Sequence, residues 1–147
     1  MALRLSHEVL ELETTYPFGI ARGTASRWRV VWVRLTDADG LEGWGEADPS
    51  SFYGETADTV VAALGRLAPA LPADPFDLEK TEAALLASLK GNAAARVAVS
   101  AALHDLVGKR LGVPLWKLWG LDPAAAPPSS FTIGIDQPEV IRQKVRE

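Results

Sequence analysis

The chain has 147 residues, 48% of them hydrophobic, with 15 basic and 19 acidic residues and a formal net charge of −4. That length and apolar content suit a folded core and exclude a disordered chain, and the mixed charge pattern excludes the basic footprint of a nucleic-acid binder. No apolar run approaches the roughly 20 residues of a membrane span. The first 13 residues carry acids where a signal peptide is apolar, and the absence of cysteine excludes disulfides and thiolate zinc sites, so the reading is cytoplasmic.

Residues 3–12 alternate loosely around Leu3, Leu5, Val9 and Leu12 and predict a strand. Residues 14–24, with Pro17, Gly19 and Gly23, read as a partly mobile loop. Residues 30–36 are β-branched and aromatic, Asp37-Ala38-Asp39-Gly40 has turn chemistry, and residues 41–47 return, which predicts a β-hairpin. Gly43 and Gly45 flank Trp44, so one face of the returning arm lacks side chains and something must pack closely there. An aromatic loop, Asp48-Pro49-Ser50-Ser51-Phe52-Tyr53-Gly54, follows.

Helical periodicity then takes over. Ala57, Val60, Val61, Leu64, Leu67 and Ala68 form an amphipathic stripe ending near Pro69. Asp74-Pro75 predicts the N-cap and first residue of a second helix, which carries Leu78, Leu85, Leu86 and Leu89 and stops at Gly91. Asn92 is the expected cap of a third, alanine-rich and closely packed helix that Gly108, Gly112 and Pro114 end. Residues 115–120 read as a short helical turn, and Asp122-Pro123-Ala124-Ala125-Ala126-Pro127-Pro128 as a linker. Beyond it, residues 130–135 predict a new strand, and Asp136-Gln137-Pro138-Glu139 opens a new helix.

Few residues have the spacing of a site. Asp37-x-Asp39-Gly40-x-Glu42 does not fit an EF-hand loop, and Gly40-x-x-Gly43-x-Gly45 lacks the strand-then-helix context of a phosphate loop. His7 reads as an edge residue of the first strand. His104 and Asp105 are adjacent on a helix and do not face each other, so Asp105 is expected to hold a neighbouring helix end or pair with Lys109. Arg22, in its glycine-flanked loop, is either solvated or a lid arginine that captures a carboxylate. Phe52 and Tyr53 divide between a cap over a ligand and ordinary packing. If the strand carrying Thr132 starts a parallel barrel, its C-terminal end faces an active site. No complete active site is legible.

The stretch from Val33-Arg34-Leu35 through Gly43-Trp44-Gly45-Glu46-Ala47 resembles the N-terminal capping domain of the enolase superfamily. Ala102-Leu103-His104-Asp105-Leu106-Val107-Gly108-Lys109-Arg110-Leu111-Gly112-Val113-Pro114-Leu115 resembles its third cap helix, closed by Leu118-Trp119-Gly120, and Phe131-Thr132-Ile133-Gly134-Ile135 looks like the first barrel strand. Pro17-Phe18-Gly19-Ile20-Ala21-Arg22-Gly23-Thr24 and Thr132-Ile133-Gly134-Ile135-Asp136 look most like dipeptide epimerases of the muconate-lactonizing subgroup.

The resemblance implies an α+β fold: an antiparallel three-stranded sheet followed by a helical bundle, with the start of a (β/α) barrel at the C-terminus. It divides the chain into a cap (1–121), a Pro-rich linker (122–129) and the first strand and partial helix of a barrel (130–147). It implies a Mg²⁺-dependent isomerase that abstracts the proton α to a carboxylate, with two opposed lysines epimerising the C-terminal residue of a dipeptide. The lysines and the carboxylate metal ligands are expected on later barrel strands, so these 147 residues alone are expected to be inactive, and the unpaired apolar strand from Phe131 to Ile135 is expected to make them associate. The substrate is a small carboxylate, no nucleic acid or membrane is expected as partner, and a homo-oligomer is. The implied substrate-binding residues are Arg22, Thr24, Phe52, Tyr53 and Thr132. Arg22 falls next to, not on, the position where some Ala-Glu epimerases carry a substrate-selecting arginine, leaving acidic and hydrophobic dipeptides open. The related o-succinylbenzoate synthases, N-acylamino acid racemases and muconate cycloisomerases share the cap. A non-catalytic binding or structural module is the reading from another class.

Overall fold

A computed structural model describes residues 3–146; residues 1, 2 and 147, the outer ends of the expected domains, lie outside them. Three strands, β1 (Arg4–Ile20), β2 (Gly23–Thr36) and β3 (Glu42–Ala47), form an antiparallel sheet in the order β1-β2-β3. The alternation of β2 sets its faces: Val31, Val33 and Leu35 are fully buried on the inner face. Their partners on β3 include Gly45 opposite Val33 and Gly43 opposite Leu35, so the inner face drops away where β3 begins.

Among the described residues five α-helices follow: α1 (Ala57–Leu67), α2 (Leu78–Ser88), α3 (Ala93–Leu111), α4 (Leu115–Leu118) and α5 (Pro138–Arg146). Helix α3 fills the space the glycines leave. A β-carbon on Gly43 would overlap the Ala102 carbonyl oxygen, and one on Gly45 would lie 2.8 Å from the Ala102 nitrogen. Ala98 and Ala102 face the sheet as the smallest side chains that keep helix propensity, so backbone meets backbone. The close approach expected at Gly43 and Gly45 is met by this helix. Leu64 and Leu67 of α1, Leu85 of α2 and Leu103 and Leu106 of α3 complete one core. No described helix is long and apolar enough to cross a membrane.

The turn between β2 and β3 is tied to the far end of α3. Asp37 Oδ1 accepts the N–H groups of Asp39 (2.9 Å) and Leu41 (3.0 Å), while Arg110 sits 2.7 Å from the Asp37 carboxylate and 2.6 Å from that of Asp39. Asp105 accepts from the Trp44 N–H at 2.8 Å and pairs with Lys109 at 2.6 Å, so it holds a strand as well as the i+4 lysine. His104 Nδ1 lies 2.9 Å from the Ser100 carbonyl and its ring meets Trp119 edge-on, a structural role. His7 is exposed on β1, an outer strand of the sheet.

Six expectations are corrected. Residues 14–20 are strand, not loop: β1 runs on to Ile20 with a register irregularity between Glu13 and Phe18. An outer strand can absorb Pro17 and the irregularity because one edge needs no partner. Asp74 does not cap α2; its carboxylate accepts the Phe76 N–H at 3.0 Å in a turn, and the helix starts after Asp77. That helix also ends at Ser88, before Gly91. Asn92 precedes α3 but its side chain makes no cap, because its backbone is left-handed (φ 48°). Gly108 lies inside α3, which ends at Leu111 and is closed by Gly112 (φ 67°).

The sixth concerns the C-terminal segment. Residues 130–135 form no strand, so the start of a barrel is not visible in this chain. A strand exists only as part of a hydrogen-bonded ladder, and this segment makes a single such contact, Ile135 N–H to the Gly19 carbonyl at 2.7 Å. Helix α5 does form, and its Lys144 reaches Asp136 at 3.2 Å and lies over the Tyr16 ring.

Candidate functional site

The long β1–β2 hairpin turns at Ala21-Arg22 and carries that arginine at its tip. The chain leaving β3 enters a short 3₁₀ turn, Ser51–Tyr53, closed by Gly54 in the left-handed region (φ 74°). This turn reaches the hairpin tip. The Arg22 guanidinium carbon lies 4.2 Å from the centroid of Phe52, and Phe52 meets Tyr53 edge-to-face at 5.0 Å. Both rings are largely exposed, at 63% and 77%.

The aromatic turn is anchored from behind. The Glu55 N–H donates to the Ser50 carbonyl, and the Glu55 carboxylate accepts the N–H groups of Ala93 (2.7 Å) and Ala94 (3.0 Å) at the start of α3. A carboxylate there satisfies two of the free N–H groups and suits the positive end of the helix dipole. Glu55 therefore does what Asn92 was expected to do, and it fixes the turn under Arg22 to the core. The sequence offered no local signal for it, since Glu55 and Ala93 are 38 positions apart.

The hairpin is also held from its other side. A β-carbon on Gly19 would lie 2.7 Å from the Ile135 carbonyl oxygen, and one on Gly134 would lie 2.8 Å from the Gly19 nitrogen. Thr24 pairs with Gly19 across the hairpin, and its hydroxyl borders the same spot. Asp136, one residue past the contact, is held below the ordinary aspartate range by the Gln137 N–H and then by Lys144. Gly134, inside an otherwise β-branched run, was the available signal for this approach.

The structure thus gathers Arg22, Phe52 and Tyr53 into one cluster and puts Thr24 at the neighbouring glycine contact. Thr132 is exposed and is not brought into the cluster by any hydrogen bond or ring contact among the described residues. Arg22 has no acidic partner among them, so the edges of its guanidinium remain available while its face rests on Phe52. Among the described residues, no three His, Cys, Asp or Glu side chains gather to hold a metal ion. These residues do not fit a Mg²⁺ site; what they can do is cover, orient and select.

Residues 5–120 match the mandelate racemase / muconate lactonizing enzyme N-terminal domain. The chain belongs to that family. It carries the capping fold of the enolase superfamily, and its relatives include dipeptide epimerases. It is 38% identical over 137 residues to an L-Ala-D/L-Glu epimerase of Bacteroides thetaiotaomicron, covering 93% of this chain and 36% of that protein. A hydrophobic dipeptide epimerase of Roseobacter litoralis is 34% identical, over 97% of this chain and 40% of that one. The dipeptide epimerase of Methylococcus capsulatus, solved with Mg and the dipeptide L-Arg-D-Lys, superposes with a TM-score of 0.89 at 33% identity, over 99% of this chain and 42% of that one. The chain therefore spans about two-fifths of the length of these relatives.

Proposed function

We propose that this chain is the substrate-enclosing cap of a Mg²⁺-dependent isomerase that removes the proton α to a carboxylate, and that the substrate is a dipeptide epimerised at its C-terminal residue. In this reading residues 1–121 are the cap, 122–129 a linker and 130–147 the approach to a barrel that supplies the acid–base groups and the metal ligands. The metal would supply electrophilic stabilisation of the substrate carboxylate as the α-carbon loses its proton. The chain's own residues act around that event. Phe52 and Tyr53 exclude water above the substrate, and Arg22 holds a substrate group against the hairpin tip.

The observation that carries the reading is the Arg22–Phe52 stack: a cation with no acidic partner among the described residues, pre-oriented on an exposed ring at the hairpin tip. It favours a substrate with a carboxylate on its side chain, because a guanidinium binds carboxylate with two parallel hydrogen bonds. The exposed Phe52–Tyr53 pair supports a second reading, a hydrophobic dipeptide packed on the rings.

The test uses the polypeptide that joins this cap to its barrel, with Mg²⁺, in D₂O. Loss of the α-proton signal of the C-terminal residue is followed by proton NMR across L-Ala-L-Glu, L-Ala-L-Leu and L-Ala-L-Phe. Exchange with L-Ala-L-Glu that an Arg22→Met variant loses at least tenfold supports the acidic reading. Exchange confined to the apolar dipeptides selects the second. Turnover of muconolactone or succinylbenzoate precursors with no dipeptide exchange overturns the epimerase reading.

A further inference from the structure

The outer face of the sheet carries an arrangement that the capping role does not use. Trp32 sits in the middle of a row across the three strands, with Glu8 of β1 and Glu46 of β3 as its cross-strand partners. All three project away from buried Val31 and Val33. The next row places Ser6, Arg34 and Trp44 side by side. The two indoles meet at 82° with centroids 5.9 Å apart, and Trp32 Nε1 donates to Glu46 Oε2 at 2.7 Å. Trp32, Trp44, Gly45 and Glu46 line a hollow of about 480 Å³.

Two perpendicular indole walls beside a carboxylate make a surface for an organic cation: ring faces attract positive charge and the carboxylate neutralises it. The charges on this face point the same way. Arg34, over Trp44 at 5.4 Å, is neutralised by Glu42 at 3.2 Å, whereas Glu8 and Glu46 have no cationic partner among the described residues. Arg4 shares this face of β1 but sits opposite Thr36, two rows beyond the Glu8–Trp32 row, so the carboxylates of Glu8 and Glu46 are the charges that border the indoles of Trp32 and Trp44. Arg34 also shows that a guanidinium already rests on one of these indoles. The hollow is open, with Trp32 and Trp44 still 40% and 41% exposed, so it cannot enclose a small molecule on most sides as ligand pockets do. It suits a side chain delivered by a larger surface.

We propose that the Trp32–Trp44 hollow receives an arginine side chain presented by a partner polypeptide. The guanidinium plane lies on an indole and its N–H groups donate to Glu46. Arginine fits better than lysine because its planar, weakly hydrated head stacks and hydrogen-bonds together. The proposal stands independently of the isomerase reading.

The test titrates the ¹⁵N-labelled full polypeptide that joins this cap to its barrel with an end-blocked Gly-Arg-Gly peptide and with the same peptide carrying citrulline, which keeps the shape and loses the charge. Single Trp→Phe replacements assign the indole N–H signals of Trp32 and Trp44, and those of Trp28, Trp116 and Trp119 serve as the other three of the five signals followed. The expected result is a saturable shift of the Trp32 and Trp44 signals with the arginine peptide, weaker by about fivefold with citrulline. Glu46→Gln should weaken arginine binding by a similar factor while leaving the other three indole signals in place, and Trp32→Phe should do the same if the first variant folds poorly. An equal response to citrulline, a shift that never saturates, or uniform movement of all five signals overturns the proposal. A concentration-dependent shift of these two signals in the protein alone also overturns it, because a second copy then covers the face.

Discussion

Gly19 and Gly134 meet backbone to backbone, and neither tolerates a β-carbon without moving the other's segment. The contact is sealed by the Ile135 N–H donating to the Gly19 carbonyl at 2.7 Å. It joins the hairpin that carries Arg22 to the segment that follows the proline-rich stretch. The hairpin tip is thereby positioned from two sides, by this contact and by Phe52.

Gly134→Ala should release the hairpin without unfolding the core. Overpacking of this kind costs about 1–3 kcal/mol, and here only one hydrogen-bonded contact has to give way. Hydrogen exchange at the Ile135 amide is expected to rise at least tenfold, while exchange at core amides such as Val33 and Leu103 stays the same. Unchanged protection at Ile135 would show that the contact does not hold the tip.

Two glycine-to-alanine changes should have opposite signs. At Gly45 the new methyl meets the backbone of α3, which no side-chain rotation can relieve, so a loss of about 3 kcal/mol is expected. At Gly65, inside α1 and facing solvent, nothing lies within contact distance, and alanine should stabilise by about 0.5–1 kcal/mol. Urea unfolding of both variants checks this. Equal effects would mean that α3 does not bear on β3 as described.

Glu55, rather than Asn92, should carry the N-terminus of α3. Glu55→Ala leaves two helix N–H groups without a partner and should cost about 1–2 kcal/mol. Asn92→Gly keeps the left-handed backbone and should change stability by less than about 0.5 kcal/mol. Thermal unfolding decides it: a larger loss at Asn92 than at Glu55 would reverse the assignment.

Acid should loosen the β2–β3 turn through Asp37. Burial raises its pKa, but the N–H groups of Leu41 and Asp39 together with Arg110 outweigh that and hold it below the ordinary value. A carboxylate lowered in the folded state stabilises fully above its unfolded pKa of about 3.9, and that contribution disappears as pH falls through the lower folded value. The urea midpoint should therefore fall between pH 5 and pH 2.5, and Asp37→Asn should flatten part of that slope. Identical slopes would mean that Arg110 and the turn do not bind the ionised form.

Local pattern was enough for much of the architecture. The β-branched and aromatic run of residues 30–36, the turn at Asp37 and Gly40, and the helical stripe of Ala57, Val60, Leu64 and Leu67 are properties of neighbouring residues, and each appears where it was expected. The bare face at Gly43 and Gly45 required a close neighbour and the alanine-rich helix read as closely packed; the structure brings the two together. The family resemblance rests on the same residues.

Tertiary structure decided what depends on distant partners. Residues 14–20 became strand because β2 offers Ala25, Thr24 and Gly23 opposite Phe18, Gly19 and Ile20, while residues 130–135 stayed irregular with one backbone bond to Gly19. Extended backbone has no internal hydrogen bonds, so its assignment belongs to whatever lies beside it. The same holds for the free N–H groups of α3, met by Glu55 from 38 positions away, and for Arg22, whose orientation comes from a ring on another loop. Periodicity reports which face of an element is apolar; only the folded chain brings the polar partners within reach.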